Sequence, residues 1–256
     1  MMVDMSKVAW LNKAQINKET DELLREWAIF AEQEVKPPIP VEAIAEKYFE
    51  FTLEYDNLDE VLGIRDVLGA TWAEEKRMVI NNSLLDGVEG RITFTCAHEI
   101  GHWVLHRKYL SDQFTRLHVE GDGNQPDVVC RMAASKLRGE WQADYFGSCL
   151  LLPQEEVENA YRRTFGAPIL IYNEKSCFGR NNPVVFDPAL DTTKEIAQRV
   201  IAEGNFTNVS KEAMCYRLND LGLLINLTGK PLVGQYKRIK PSMKENRIYG
   251  VTSVPH

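Results

Sequence analysis

The side chains best suited to chemistry in this chain are His98, Glu99 and His102, in the run His98-Glu99-Ile100-Gly101-His102. On an α-helix, positions i and i+4 share a face about 6 Å apart along the axis. Two imidazoles so placed can converge on one Zn2+ at about 2.0–2.1 Å, and Glu99, beside the first of them, can act on a water held there. The blander reading is a pair of structural histidines on a half-buried helix. A catalytic zinc needs a third protein ligand and one open position. His106 continues the row, but it lies two turns, about 12 Å, from His98 along the axis, too far to share the metal. It reads as a helix-end residue facing the C-terminal dipole. His118 sits in a polar stretch and reads as a loop residue. The better third ligand is Glu140, 38 residues beyond His102, a distance that allows a loop and a return helix. Asp144, one turn further on, is placed to accept the outer N–H of a ligating histidine. Against this, Glu140 has the ordinary alternative of a surface carboxylate at a helix start, where the dipole favours it.

These residues need elements to hold them. Ile92, Phe94, Ile100, Trp103 and Leu105 supply an apolar surface for a helix from near Gly90 through His106. The stretch from Ser111 to Asp127 is polar and Gly-rich and reads as a loop, and Val128 to Cys130 as a short strand. A second helix starts around Ser135 to Glu140 and runs to Leu152, where Pro153 stops it. Its small residues Ala143 and Gly147, facing Gly101, would let the two helices approach closely. Upstream, residues 1–18 read as a loose tail, followed by a helix from Glu19 to Val35 that ends at Lys36-Pro37-Pro38-Ile39-Pro40, and a short helix over Val41 to Tyr48. Gly69 to Trp72 and Arg77 to Ile80 read as a β-hairpin turning at Ala73 to Lys76. Downstream come a helix over Gln154 to Thr164, a loop-rich stretch to Asp191, and two helices over Thr192 to Leu224, the second capped by Ser210.

The expected fold class is therefore α+β: a zinc-site domain over residues 19–155 and a helical C-terminal region over 156–256, with a helix-turn-helix-like pair at 192–224 and a basic tail. At 256 residues, with 44% apolar and 26% charged side chains, the chain can bury an ordinary core and is not wholly disordered. Its net charge of −7 excludes a global basic field for nucleic acid. Charge is uneven: 13 acidic against 3 basic residues lie between Glu19 and Glu60, while six basic residues against Glu245 mark the segment from Lys230 to Arg247. The acidic stretch reads as a solvated face, or more sharply as a surface that repels DNA and receives a basic partner. No apolar run approaches the roughly 18 residues of a membrane span, and Met1 to Lys18 lacks the pattern of a signal peptide, so a cytoplasmic protein is expected. Cys96, Cys130, Cys149, Cys177 and Cys215 form no CxxC pair and read as reduced thiols, mostly small buried hydrophobes.

The segments from Thr93 to His106 and from Glu140 to Pro153 together resemble the ImmA/IrrE metallopeptidase family. Weaker flanking similarity runs from Pro38 to Ala45, through the strand before Asn81-Asn82, and over Val209 to Met214 and Arg217 to Leu223, so the resemblance covers roughly residues 38–225. It implies a compact zincin-like core with His98, His102 and Glu140 on zinc and Glu99 as catalytic base. It also implies a protein substrate, a helix-turn-helix transcriptional repressor cut once to release genes of mobile elements or stress responses, with toxin–antitoxin modules as a further setting. The sequence departs from the family in two places. Gly147 stands where alanine is usual, and the Arg107–Gly139 connection is long.

In this reading Glu99 takes the proton of a zinc-activated water and passes it to the leaving amine. Tyr145, Tyr109 and Arg131 are candidate oxyanion donors by proximity in sequence alone, and the hairpin at Gly69–Ile80 could hold an extended substrate by strand addition. Two rival classes remain. One is a non-catalytic metal-binding regulator, against which an intact Glu99 speaks. The other is a DNA-binding regulator using the 192–224 helices, whose second helix (Ser210, Ala213, Met214, Leu218, Leu221) reads more like core packing than groove reading, so direct nucleic-acid binding is not expected.

Overall fold

A computed structural model describes residues 4–85, 90–117, 126–131, 137–171 and 192–227 of the chain. His118, Cys177 and the basic tail lie outside the described residues. In chain order the elements are α1 (Lys13–Phe30), α2 (Val41–Ala43), β1 (Thr52–Asp56), α3 (Leu58–Leu62), β2 (Val67–Trp72), β3 (Arg77–Asn81), α4 (Arg91–Leu117), β4 (Val128–Arg131), α5 (Arg138–Leu151), α6 (Gln154–Phe165), β5 (Ile169–Ile171), α7 (Thr192–Glu203), α8 (Lys211–Asp220) and β6 (Leu224–Asn226). A π-turn over Ile44–Tyr48 extends α2.

The first four strands form one sheet in the order β1-β3-β2-β4. The β2–β3 hairpin expected from the sequence is present, with Gly69 opposite Ile80 and Thr71 opposite Met78. Alternation along a strand puts these four residues on one face, toward α4. Ala70, Trp72 and Val79 point to the other face and pack with Leu58 and Val67 in a small second core. β1 adds in parallel to β3, which the sequence reading leaves out, and β4 adds antiparallel to β2. The hairpin is thus paired on both sides. Strand addition to it, expected above, has no free edge to use; among the described residues the edges are β1 and β4.

The main core lies where α4 meets the sheet and α5. Cys96, Ala97 and Ile100 of α4 are buried with Met78 and Ile80 of β3 and Phe146 and Leu150 of α5. Burying the Ile, Leu, Met and Phe side chains among them contributes about 1.5–3 kcal/mol each. α4 and α5 run antiparallel and close together because two glycines let them. A Cβ on Gly101 would lie 3.1 Å from Ala143 Cα, and one on Gly147 would lie 3.2 Å from the His98 backbone nitrogen. Pro153 follows α5 as expected.

Two differences from the sequence reading matter for the site. Of residues 1–18, expected as a loose tail, the described ones from Asp4 onward pack against the rest of the chain. Asn12 caps α1 in a capping box with Gln15, Met5 and Val8 are buried, and Trp10 stacks on Trp141 of α5 at 5.4 Å. Asn12-x-x-Gln15 is a recognisable start signal that moves the helix start from Glu19 to Lys13. α4 also runs on to Leu117 instead of ending near His106, since no Pro or Gly interrupts it before Gly121 and Leu110 has a buried cluster with Met5, Val8 and Val128 to join. The expected loop over Ser111–Asp127 is thus helical in its first part, and His106 is not at a helix end. α8 supplies Met214, Cys215, Arg217 and Leu218 to the interior, with the Arg217 Nε–H donating to the Leu152 carbonyl at 2.9 Å, which leaves it no groove-reading face along that row. Among the described residues no helix is long and apolar enough to cross a membrane.

Candidate metal centre

His98 and His102 project from one face of α4, and Glu140 reaches them from the first turn of α5. The two imidazole Nε2 atoms are 2.9 Å apart. The Glu140 carboxylate straddles them, Oε2 at 3.4 Å from His98 Nε2 and Oε1 at 3.4 Å from His102 Nε2. Ligands bonded tetrahedrally at about 2.0–2.1 Å stand roughly 3.3 Å from one another, so this set fits one small cation.

The outer ring nitrogens fix which lone pairs face inward. His98 Nδ1 lies 3.0 Å from Asp144 Oδ1; the carboxylate can only accept, so Nδ1–H donates and Nε2 is left as acceptor. Behind His102 runs a longer chain. The Gln142 amide N–H donates to the Ala9 carbonyl at 3.0 Å, which turns its Oε1 toward His106. His106 Nε2–H donates to that oxygen at 2.8 Å, leaving His106 Nδ1 to accept from His102 Nδ1–H at 3.1 Å. His102 Nε2 therefore also presents a lone pair to the centre. Such outer partners hold ligand rings in orientation and raise their basicity.

Glu99 stands beside this triad without joining it. Its Oε2 accepts from the Thr71 hydroxyl of β2 at 2.7 Å, while Oε1 is buried with no partner. A buried carboxylate oxygen left unpaired is costly, and such groups concentrate where function requires them. Gly69 makes the room: a Cβ there would lie 2.9 Å from Glu99 Oε1. His98, Glu99, His102 and Glu140 are each no more than 3% exposed.

Residues 62–166 match the family model of Peptidase_M78, described as an IrrE N-terminal-like domain. This segment is similar to Peptidase_M78 metallopeptidase domains and spans about two fifths of the chain. No curated protein matches the chain. The M78 segment contains the triad, Glu99, Asp144, Thr71, His106 and Gln142, whereas Ala9, at the end of the His102 chain, lies upstream of it.

Charge in the centre is arranged for a cation. Burial works to raise the Glu140 pKa, but His102 and His98 outweigh it and hold the carboxyl well below the usual range. Burial opposes charge on His98, yet Cys130, Asp144 and Glu140 outweigh it and raise its pKa well above the ordinary histidine value. The site thus favours positive charge between two imidazoles and a carboxylate, which a divalent ion would bring. Burial, with His102 adding to it, pushes His106 down to about 3, so this residue is neutral, as its place in the hydrogen-bond chain requires. Burial also raises the Glu99 pKa, against the pull of His102, His98 and Thr71, toward the range useful to a general base.

The structure thus brings His98, His102, Glu140, Glu99 and Asp144 together. Tyr109 and Tyr145 are engaged elsewhere, their hydroxyls donating to the Asp4 carbonyl at 3.0 Å and to Asp220 Oδ2 at 2.7 Å. Sequence reading did not find Thr71, His106 or Gln142 in these roles. His106 was one turn beyond His102 on the same face and needed only a role behind the ligand instead of on the metal. Thr71 and Gln142 carry no local signal.

Proposed function

We propose that the chain is a zinc-dependent endopeptidase that cuts a helix-turn-helix repressor, with His98, His102 and Glu140 holding the metal and Glu99 as base. The observation that carries this is the unpartnered Glu99 Oε1 beside three donors whose lone pairs converge. Two imidazoles and a carboxylate, with one position left for solvent, are a donor set suited to catalytic zinc. When bound, the metal supplies Lewis-acid polarisation of the scissile carbonyl and makes a water acidic enough to lose its proton near neutrality. Thr71 holds Glu99 by one oxygen, so the other is free to take the proton from the attacking water and deliver it to the leaving amine. Asp144 and the His106–Gln142 chain keep both rings turned inward throughout. The repressor as substrate, and a mobile-element, stress-response or toxin–antitoxin setting, rest on the resemblance to ImmA/IrrE proteins.

The test is metal analysis of the purified protein, followed by incubation with the helix-turn-helix protein encoded nearest to it. One zinc per chain is expected, lost in His98→Ala and Glu140→Ala, with a single cut seen by mass spectrometry. Glu99→Gln keeps its zinc and loses cleavage by about 10^2–10^4-fold. Undiminished cleavage by that variant removes Glu99 from the mechanism, and zinc retained without His98 and Glu140 removes the triad.

A further inference from the structure

The edge strand β4 brings a thiol beside His98 and Glu99 of the metal centre. In the β2–β4 ladder Cys130 is paired with Gly69, and Val128 with Thr71. Cys130 therefore shares the face of Gly69 and Thr71, the face that carries Glu99 against it. Gly69 has no side chain to stand between them. A ring nitrogen of His98, a carboxylate oxygen of Glu99 and Cys130 Sγ all lie within 4.8 Å of one another, and all three residues are buried. This second set shares His98 with the triad but holds neither His102 nor Glu140, so the thiol must close in from the Glu99 side to join them on one ion. Water must stand on that side for Glu99 to act as base.

We propose that Cys130, carried by β4, closes on the metal as a fourth protein ligand from the Glu99 side, and that the peptidase is latent while this ligand is bound. The inference rests on the metallopeptidase reading of the triad. A thiolate bonds zinc at about 2.3 Å, and two histidines, a glutamate and a cysteine complete a closed tetrahedral set of the structural kind, with no open position. A thiol that coordinates gives up its proton, which leaves to solvent as the metal is taken up. Two features fit latency. The four chemically active side chains are almost wholly buried, so no polypeptide can reach them. The edge of β2, where an extended substrate could pair beside Glu99, is already taken by β4. Withdrawal of this four-residue strand would free the coordination position and the sheet edge in one movement.

The probe is Co2+ bound to the full chain after removal of other metals, read by its near-ultraviolet thiolate-to-cobalt charge-transfer band and by metal stoichiometry. The expected result is one cobalt per chain with the band present in the wild type. In both Cys130→Ser and Cys130→Ala the cobalt is kept and the band is lost, and hydrolysis of unfolded casein by the zinc form rises by about tenfold or more, as the closed fraction opens. Cobalt bound through His98, His102 and Glu140 with no thiolate band in the wild type overturns the proposal and leaves the metallopeptidase reading standing. So does a band that survives in the two variants, since another thiol then supplies it. A wild type that binds no cobalt overturns the reading of the triad itself, and this inference with it.

Discussion

At the residue scale, the centre depends on groups that never touch a metal. Among the described residues the Thr71 hydroxyl is the hydrogen-bond donor to Glu99, and it leaves the other carboxylate oxygen bare. Thr71→Val keeps the shape and removes the donor. A hydrogen bond to a charged group is worth about 1.5–3 kcal/mol, so kcat is expected to fall roughly 10- to 100-fold with metal content unchanged in the same preparation. Gln142 acts on the opposite side. Gln142→Leu leaves His106 Nε2–H without its acceptor and frees the His102 ring to turn. Metal affinity, measured by competition with a chelating dye, is expected to drop by about 10- to 100-fold, the usual effect of losing an outer partner. An unchanged affinity would show that the chain from Ala9 to His102 does not orient the ring.

At the element scale, α4 and α5 are brought close by Gly101 and Gly147, and the N-terminal segment is clamped across them. The Arg138 guanidinium donates to the Val8 carbonyl at 3.0 Å, Gln142 donates to Ala9, and Tyr109 donates to Asp4. The metal centre is therefore braced by residues well before the M78 segment. α1 begins at a capping box, so Asn12→Ala is expected to lower stability by about 1 kcal/mol, read from chemical denaturation. The helix pair, its small-residue contact and its stop at Pro153 were legible because helical spacing is a local property. The length of α4 was less so: polar residues from Ser111 onward look like loop, while the contact that extends the helix, Leu110 against Met5, Val8 and Val128, is between distant parts of the chain.

At the scale of the whole molecule, the buried centre makes stability depend on pH with a definite sign. His106 is depressed from the ordinary histidine value of 6.5 to about 3, so its contribution is complete above 6.5 and is lost as pH falls toward 3. The full loss is on the order of 5 kcal/mol. Glu140, also depressed, adds to the loss only below the ordinary carboxylate value of 4.5. His98, raised, has the opposite sign and contributes below 6.5, weakening as pH climbs through its higher value. Chelator-stripped protein should therefore lose stability from pH 6.5 to 5, and His106→Gln, which cannot titrate, should lose less over that window in thermal melts. Equal slopes would show that His106 is not buried neutral. The sequence by itself determined which side chains could meet on one helix face, and that a return helix could bring Glu140 to them, because both follow from the 3.6-residue turn. It could not determine that β2 supplies Thr71, that β4 sets Cys130 opposite Gly69, or that Ala9 closes the chain behind His102. Those follow from strand register and from packing between distant segments, and only the folded chain brings such partners within bonding distance.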